Sequence, residues 1–550
     1  MEDIYRHKSS RRKLLLIGGF LLASISLPTL ALGSLSANAA VRIKPQAAKI
    51  KDVVYAQSVP ITSLATAGTQ PQVYPAGYEA AFAIYSGLVR FKSNLTIEPD
   101  LATAWSVSND DRKWTFELRK GVKFHDGQPF NADAVVAYFT KMIDKTYNVS
   151  AYGLWSAIES TVKVDDNTVL ITTTKPFGAL LNTLAHGSGL IPSPLLTAKG
   201  PAEAALRPVG TGPYKLDKFE PGTKLVLKAN ANYYGAKPVY DSITYVYIGD
   251  PAARMAALQA GQVNIVDAVP VGQVASLSAS KNVNIINIPG LQVFGIGLNF
   301  NNPILRLKSV RQALNYAVDV QSITASLFRG YATPLTSPLA PKTNGFATAG
   351  PNKYDPERAK VMLKQVGLTP GKNGMLEKNG VPVSFRLRVP DGMYPNDLLV
   401  AAAVQEQLKN VGIDVVLQKV DKAVFWSGIK VARANVDFDM ALFGFNPSHG
   451  SGALQLDIMY TSNATDGPVA GWNFNWYSNK KVDDWLAKSL QAVNPATQKT
   501  LLAQAGREIW RDSPYIWLYV RNNLSAYDDK AATPLVLPVV FTLPSRTIGK

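Results

Sequence analysis

From Ser384 to Phe445 the chain alternates short β-rich runs with a helical run, and no other feature constrains its fold as much. Ser384–Val389 reads as a strand, Asp397–Val411 as a helix, and Asp414–Lys419 and Met440–Phe445 as further strands. Strands separated by helices at this spacing build α/β layers, with helices covering the faces of a sheet. Other helices are expected at Ala132–Asp144 under an Asn131 cap, from Asp250-Pro251 to a stop at Gly261, and at Ser309–Val318, Pro356–Val366 and Thr497–Arg511. Short strands are expected at Trp114–Leu118, Thr168–Thr173, Leu225–Ala229 and Ile243–Tyr247. Ile516–Ala526 returns to strand character after the long α/β stretch, so the chain is expected to cross back into an earlier domain.

The 550 residues correspond to three or four packing units of about 150 residues. With 47% hydrophobic and 18% charged residues the chain can bury a large core, which excludes global disorder. There is no cysteine. That excludes a disulfide scaffold, a Cys-ligated zinc or iron–sulfur site, a thiol nucleophile and a lipid-anchored lipoprotein, whose mature start is a Cys. The four histidines, His7, His125, His186 and His449, are far apart, so a His-rich metal site would need long-range convergence. The P-loop, dinucleotide-binding and zinc-protease patterns are absent.

Residues 1–39 read as a signal peptide. Arg6, Lys8, Arg11, Arg12 and Lys13 give a basic start, Leu14 to Leu32 is apolar but holds Pro28, and Ala37-Asn38-Ala39 offers a small-x-small cleavage site before Ala40. Ser10-Arg11-Arg12-Lys13-Leu14-Leu15 fits both an ordinary basic start and a twin-arginine export signal. Removing the segment lowers the formal charge from +17 to +14, because five Lys/Arg and two Asp/Glu leave with it. No second apolar stretch approaches ~18 residues, so the mature chain is expected to be soluble, and the absence of a lipid-anchoring Cys points to a periplasm between two membranes. Export argues against nucleic acid as the partner of the basic charge, which is scattered as in Arg119-Lys120 and Lys480-Lys481.

Several long motifs follow in order: Tyr85-Ser86-Gly87-Leu88-Val89, Pro99-Asp100-Leu101-Ala102, Trp114 to Gly127, Pro208-Val209-Gly210-Thr211-Gly212-Pro213-Tyr214, Ser309 to Asp319, and Tyr477 to Asp484. Together they closely resemble the family 5 extracellular solute-binding proteins of ABC importers, the peptide- and nickel-binding group, over roughly Val53 to Asp528. Most of these residues read as fold markers, with turn glycines at Gly127, Gly210 and Gly212 and His125 in a turn-capping place. The resemblance implies an α/β fold with two lobes around a ligand cleft, an extra subdomain in the first lobe and a hinge. Carried over, residues 40–71 and 191–289 form the first lobe, 72–190 the extra subdomain, 290–512 the second lobe, and 513–550 return to the first. The hinge crossings fall near Phe294–Asn299 and Tyr515–Val520. The implied role is a receptor, expected to be monomeric and to need no cofactor or metal. It would deliver its solute to the membrane subunits of an ABC permease with a cytoplasmic ATPase.

In peptide-binding relatives the strand matching Met440–Phe445 ends in Gly-Trp, and an Asp in the next loop pairs with the peptide amine. Here the segment is Gly444-Phe445-Asn446-Pro447-Ser448-His449-Gly450-Ser451-Gly452, with no acid before Asp457. Pro447-Ser448-His449-Gly450 and Asn473-Phe474-Asn475-Trp476-Tyr477-Ser478-Asn479 resemble the glutathione-binding members, as do Leu184-Ala185-His186 and Gly330 to Pro334. Ser451 and Ala453 replace the acids that subgroup tends to carry. The expected ligand is therefore a small peptide-like solute, glutathione or another short peptide. Phe445 and Trp472 are expected to wall it, and Asn446, Ser448 and Asn473 to hydrogen-bond it. His449 can read a carboxylate or cap the loop; Trp426 can face the cleft or the core; Asp391 and Tyr394 stand after a strand, where α/β lobes commonly bind ligands. The ligand-facing segment of the first lobe is expected at Thr62–Gln72.

Two alternatives remain at this level. The same receptor role can serve an opine, an oligosaccharide or a metal chelate. More remotely, Asn446-Pro447-Ser448-His449-Gly450 is one residue from a nucleophile elbow, which would make Ser448 the nucleophile of an exported hydrolase, although His449 is only its chain neighbour.

Overall fold

The structure, a computed structural model, describes residues 49–68, 76–148, 150–351, 353–469, 471–537 and 541–547. The signal peptide assigned to residues 1–39 lies outside them, as do residues 69–72 of the expected ligand-facing segment. Among the described residues no helix is long and apolar enough to cross a membrane.

The sheet is organised around two long antiparallel strands, Val283–Leu298 and Tyr515–Asp528. On one side their pairing extends through Ile265–Val266, Asp52–Gln57, Ser242–Tyr247 and Lys224–Ala229 to Tyr214–Glu220. On the other it extends through Met440–Phe445 and Ser384–Asp391 to Asp414–Asp421. The long strands thus belong to both lobes. Val283–Pro289 pairs with Asn522–Asp528, and register then slips between Pro289 and Val293 and again between Val293 and Gly295. Val293 to Leu298 gains a second partner in Met440–Phe445. Extra residues in one strand bend and twist it, so the irregularity lies where the two halves of the sheet diverge. It begins a few residues ahead of the expected crossing at Phe294–Asn299.

Every residue of Met440–Phe445 is buried, because helices cover both faces of the sheet there. The period of two then sorts its side chains. Met440 and Leu442 pack with Ile516, Leu518, Val310, Leu314 and Val404. Ala441, Phe443 and Phe445 lie in the opposite core with Tyr515, Trp517 and Leu486.

The expected 72–190 segment contains its own four-stranded antiparallel sheet in the order Ala102–Val107, Lys113–Leu118, Thr168–Thr173, Ile158–Asp165. Trp114, Phe116 and Leu118 are buried while Lys113 and Glu117 are exposed, the alternation of a half-buried strand. Asn131 Oδ1 accepts from the Ala134 N–H at 3.1 Å, and Asp250 Oδ1 from Ala253 N–H at 2.7 Å, as their places before helices predict. The His-Asp-Gly turn is anchored through His125, whose Nε2 lies 3.0 Å from Gly212 O.

Candidate functional site

Met440–Phe445 delivers the chain into a short loop before the helix Gly452–Tyr460. Pro447 O accepts the Gly450 N–H at 2.8 Å, and Gly450 adopts φ +63, a left-handed conformation that a residue without Cβ takes at little cost. Gly450 also faces Phe91, 3.2 Å from where a Cβ would stand. Ser451 caps the following helix by accepting the Leu454 N–H.

Residues of the 72–190 segment meet this loop directly. Asn182, on the helix Leu180–Ala185, donates its Nδ2 to His449 O at 3.0 Å. His186, the residue after that helix, places Nε2 3.2 Å from Ser448 Oγ and 3.1 Å from the Tyr78 hydroxyl. Nearby, Gly178 donates its N–H to Leu490 O at 2.7 Å, and a Cβ on Gly178 would stand 1.9 Å from Ala492 O. Residues 178–186 are thus closed against 448–450 and 490–492.

The hydrogen bonds around His186 fix its tautomer. Its Nδ1 accepts the Ser188 N–H at 3.2 Å and lies 2.9 Å from Ser188 Oγ, which also accepts from Trp155 Nε1 at 2.9 Å. With Nδ1 an acceptor, the proton is on Nε2. That nitrogen therefore donates toward Ser448 and Tyr78 and cannot take the Ser448 proton. Burial lowers the His186 pKa to about 4. Among the described residues no carboxylate orients the ring, as a general base would require. The structure brings a histidine to Ser448, but in the wrong tautomer for a nucleophile–base pair.

His449 is 4% exposed, and its Nδ1 accepts the Ser451 N–H at 3.2 Å. Burial, with a smaller effect of His186, lowers its pKa to about 3. Of its two expected roles the geometry gives it the loop cap, since a neutral enclosed imidazole has no charge to offer a carboxylate.

The wall is aromatic. Trp472 stacks on Phe443 with centroids 5.9 Å apart, meets Trp426 edge-on at 5.1 Å and Phe445 at 6.3 Å. Lys430 Nζ lies 4.2 Å from the Trp472 ring centre, and burial lowers its pKa. Phe445, Trp472 and Trp426 therefore form one cluster. Asn446 and Ser448 are partly exposed at its edge.

One expected site residue is placed otherwise. Asn473 is 1% exposed; its Nδ2 donates to Thr461 O and Tyr477 O, and its Oδ1 accepts the Tyr477 N–H at 3.0 Å. Every polar atom of that side chain is spent folding its own loop. Asp391 ends the strand Ser384–Asp391, exposed and in register with Asp421, which caps the helix that carries Trp426. Tyr394 is drawn in: its hydroxyl donates to Gly444 O at 3.2 Å, its ring meets Phe294 at 5.1 Å, and burial pushes its pKa upward.

Sequence reading missed Tyr78, Asn182, His186, Lys430 and Arg521 as site candidates. Arg521 carried a signal, being a charge within the otherwise uncharged run Tyr515 to Tyr527. Among the described residues no three His, Cys, Asp or Glu side chains converge as a metal-ligand set.

Known proteins align with this geometry over most of the chain. The glutathione-binding protein GsiB of Escherichia coli (strain K12) is 30% identical over 492 residues, covering 89% of this chain and 92% of that protein. The oligopeptide-binding protein AppA of Bacillus subtilis, solved with a nonapeptide, superimposes with a TM-score of 0.72 at 28% identity, covering 88% and 95% of the two chains. AgaA of A. tumefaciens R10, solved with agropinic acid, gives a TM-score of 0.70 at 26% identity over 87% and 93%. These likenesses agree with a two-lobed α/β binding fold. Residues 96–467 match the family described as bacterial extracellular solute-binding proteins, family 5 Middle, and the chain belongs to that family.

Proposed function

We propose that this protein captures a small, carboxylated, peptide-like solute between its lobes, with glutathione or another short peptide as the first candidates. The role of substrate-binding component of an ABC importer follows from its family and from its likeness to peptide receptors. The observation that carries the ligand reading is the loop Asn446–Ser451. It joins an aromatic wall to the groups offered by the facing segment, and it holds no carboxylate for a peptide amine. Recognition then rests on stacking, neutral hydrogen bonds and cations. An anionic peptide such as glutathione suits that chemistry better than a generic dipeptide read through its amine.

Residues 1–39 would direct export to the periplasm, by the general or the twin-arginine route, and be removed before Ala40. The mature chain would act as a monomer and present its closed form to the permease.

A thermal-shift panel on Ala40–Lys550 tests the reading, using glutathione, di- to pentapeptides, agropinic acid, oligosaccharides and nickel complexes. A ligand at about 1,000 times its Kd stabilises by about 4 kcal/mol, which moves the midpoint by several degrees. Glutathione or a short acidic peptide should produce that shift. A shift from a sugar or a nickel complex, with silence from every peptide, would overturn it.

A further inference from the structure

Arg521 stands where the two long strands lose register. Its neighbours Val520 and Asn522 pair with Val293 and Pro289, and the skipped residues between them include Gly290. A Cβ on Gly290 would come 2.5 Å from Arg521 O, so the backbones touch there. The side chain extends toward the Gly444 end of Met440–Phe445. Its guanidinium carbon is 5.3 Å from the centre of the Phe294 ring, and Nη2 donates to Gln292 Oε1 at 3.3 Å. Gln292 in turn approaches Gly444 O through Nε2 at 3.4 Å, the carbonyl that also accepts the Tyr394 hydroxyl. Arg521 is thus two contacts from the residue that precedes Phe445.

This cation has no acidic partner among the described residues. The ionisable groups that act on it are Tyr519 and Tyr394, and its enclosed Nε donates to nothing. Asp397, which acts on the same two tyrosines, spends its Oδ2 on the N–H groups of Met393 and Tyr394. The fully buried arginines Arg254 and Arg311 are served differently. Arg254 lies 3.5 Å from Asp267, and Arg311 donates to the carbonyls of Asp512, Leu305 and Arg306. Enclosing a guanidinium without a counter-charge is costly. The edge left open, Nε with the weakly held Nη2, has the planar fork that matches two carboxylate oxygens.

We infer that Arg521 is a specificity residue that holds a carboxylate of the captured solute at the hinge. This rests on the reading that the solute binds between the lobes beside Phe445. Arg521 then selects for the anion, and Lys430 over Trp472 adds positive charge at the aromatic cluster. Ligands whose carboxylate is esterified or amidated would leave Nε unpaired and be rejected.

The test compares wild type, Arg521→Met and Arg521→Lys by calorimetric titration with glutathione, its glycyl ethyl ester and agropinic acid, alongside unliganded melting curves. Wild type should bind at least one free acid. Arg521→Met should bind that acid roughly 100-fold more weakly or worse, because one partner of a desolvated charge pair is gone. Arg521→Lys should recover part of the loss, and blocking the carboxylate should cost wild type far more than it costs Arg521→Met. Unliganded Arg521→Met should melt at or above the wild-type temperature, since a half-buried charge without an acidic partner has been removed. If Arg521→Met binds the acid within threefold of wild type, the anchor is disproved while the ligand reading stands. If agropinic acid binds and peptides do not, the peptide reading fails and the same comparison still decides Arg521. A wild type that binds only uncharged solutes overturns both. An unliganded Arg521→Met that melts many degrees lower assigns Arg521 to the fold and overturns the inference.

Discussion

His186 and Ser448 are 262 positions apart in sequence, yet His186 Nε2 lies 3.2 Å from Ser448 Oγ. The contact ties the 72–190 segment to the loop that follows Met440–Phe445. Because His186 Nδ1 is occupied by Ser188, the imidazole donates and the serine oxygen accepts. It is a latch between two distant segments, and a base at that position would need the opposite tautomer.

Ser448→Ala should therefore weaken solute binding modestly. Losing one neutral hydrogen bond costs about 1 kcal/mol, or about fivefold in affinity. Neither form should hydrolyse peptides or esters. Titration calorimetry gives the first quantity, and chromatography of glutathione and its ester after long incubation gives the second. Ester cleavage that disappears in Ser448→Ala would revive the hydrolase.

Acid should loosen the same latch. The pKa of His186 falls to about 4 and that of His449 to about 3, against an ordinary 6.5. Below pH 6.5 an unfolded or opened chain takes up protons that the closed fold refuses. Stability is thus full above pH 6.5 and declines as pH falls through the window down to the folded values. The slope is about 1.4 kcal/mol per pH unit for each imidazole kept neutral. Melting temperatures from pH 7 to pH 4.5 should fall, and His186→Gln should flatten the fall by removing one of the two groups. An unchanged slope in His186→Gln would show that other groups govern the decline.

Asn473 shows what a linear reading cannot see. An Asn beside Trp472 in a polar loop reads as a ligand contact, and only the fold reveals that Thr461 and Tyr477 claim its amide. The strand Met440–Phe445 and the aromatic wall were legible, because a fully apolar run followed by a turn has few other uses. His449 was legible as a loop cap for a similar reason, since it adjoins the glycine that turns the chain. The partners from residues 78–186 were not legible, because nothing local records which lobe they close upon. Arg521 was half legible: its charge stands out in the sequence, but its lack of an acid needs coordinates.

Asn473→Ala should then act on stability before binding. It removes three buried hydrogen bonds and strands the Tyr477 N–H and two carbonyls. A loss of roughly 2–4 kcal/mol is expected, on the scale of one to three for each buried polar group left unpaired. Urea unfolding measures it. A variant of wild-type stability that binds no solute would return Asn473 to the list of direct ligand contacts.

Gly178 gives the sharpest test of closure. Its N–H meets Leu490 O at 2.7 Å, and a methyl group there would be driven into the Ala492 carbonyl, 1.9 Å away. The obstruction is backbone against backbone, so no rotamer change relieves it. Gly178 does not adopt positive φ, so alanine is free to take its local conformation when the lobes are apart. Gly178→Ala should accordingly leave the unliganded fold nearly as stable as wild type while penalising the closed form. Affinity should fall by an order of magnitude or more, because the apparent Kd rises as the binding-competent fraction shrinks. Small-angle scattering should show that saturating solute compacts wild type but compacts the variant less. If Gly178→Ala binds and compacts as wild type does, the contact between Gly178 and Ala492 plays no part in closure.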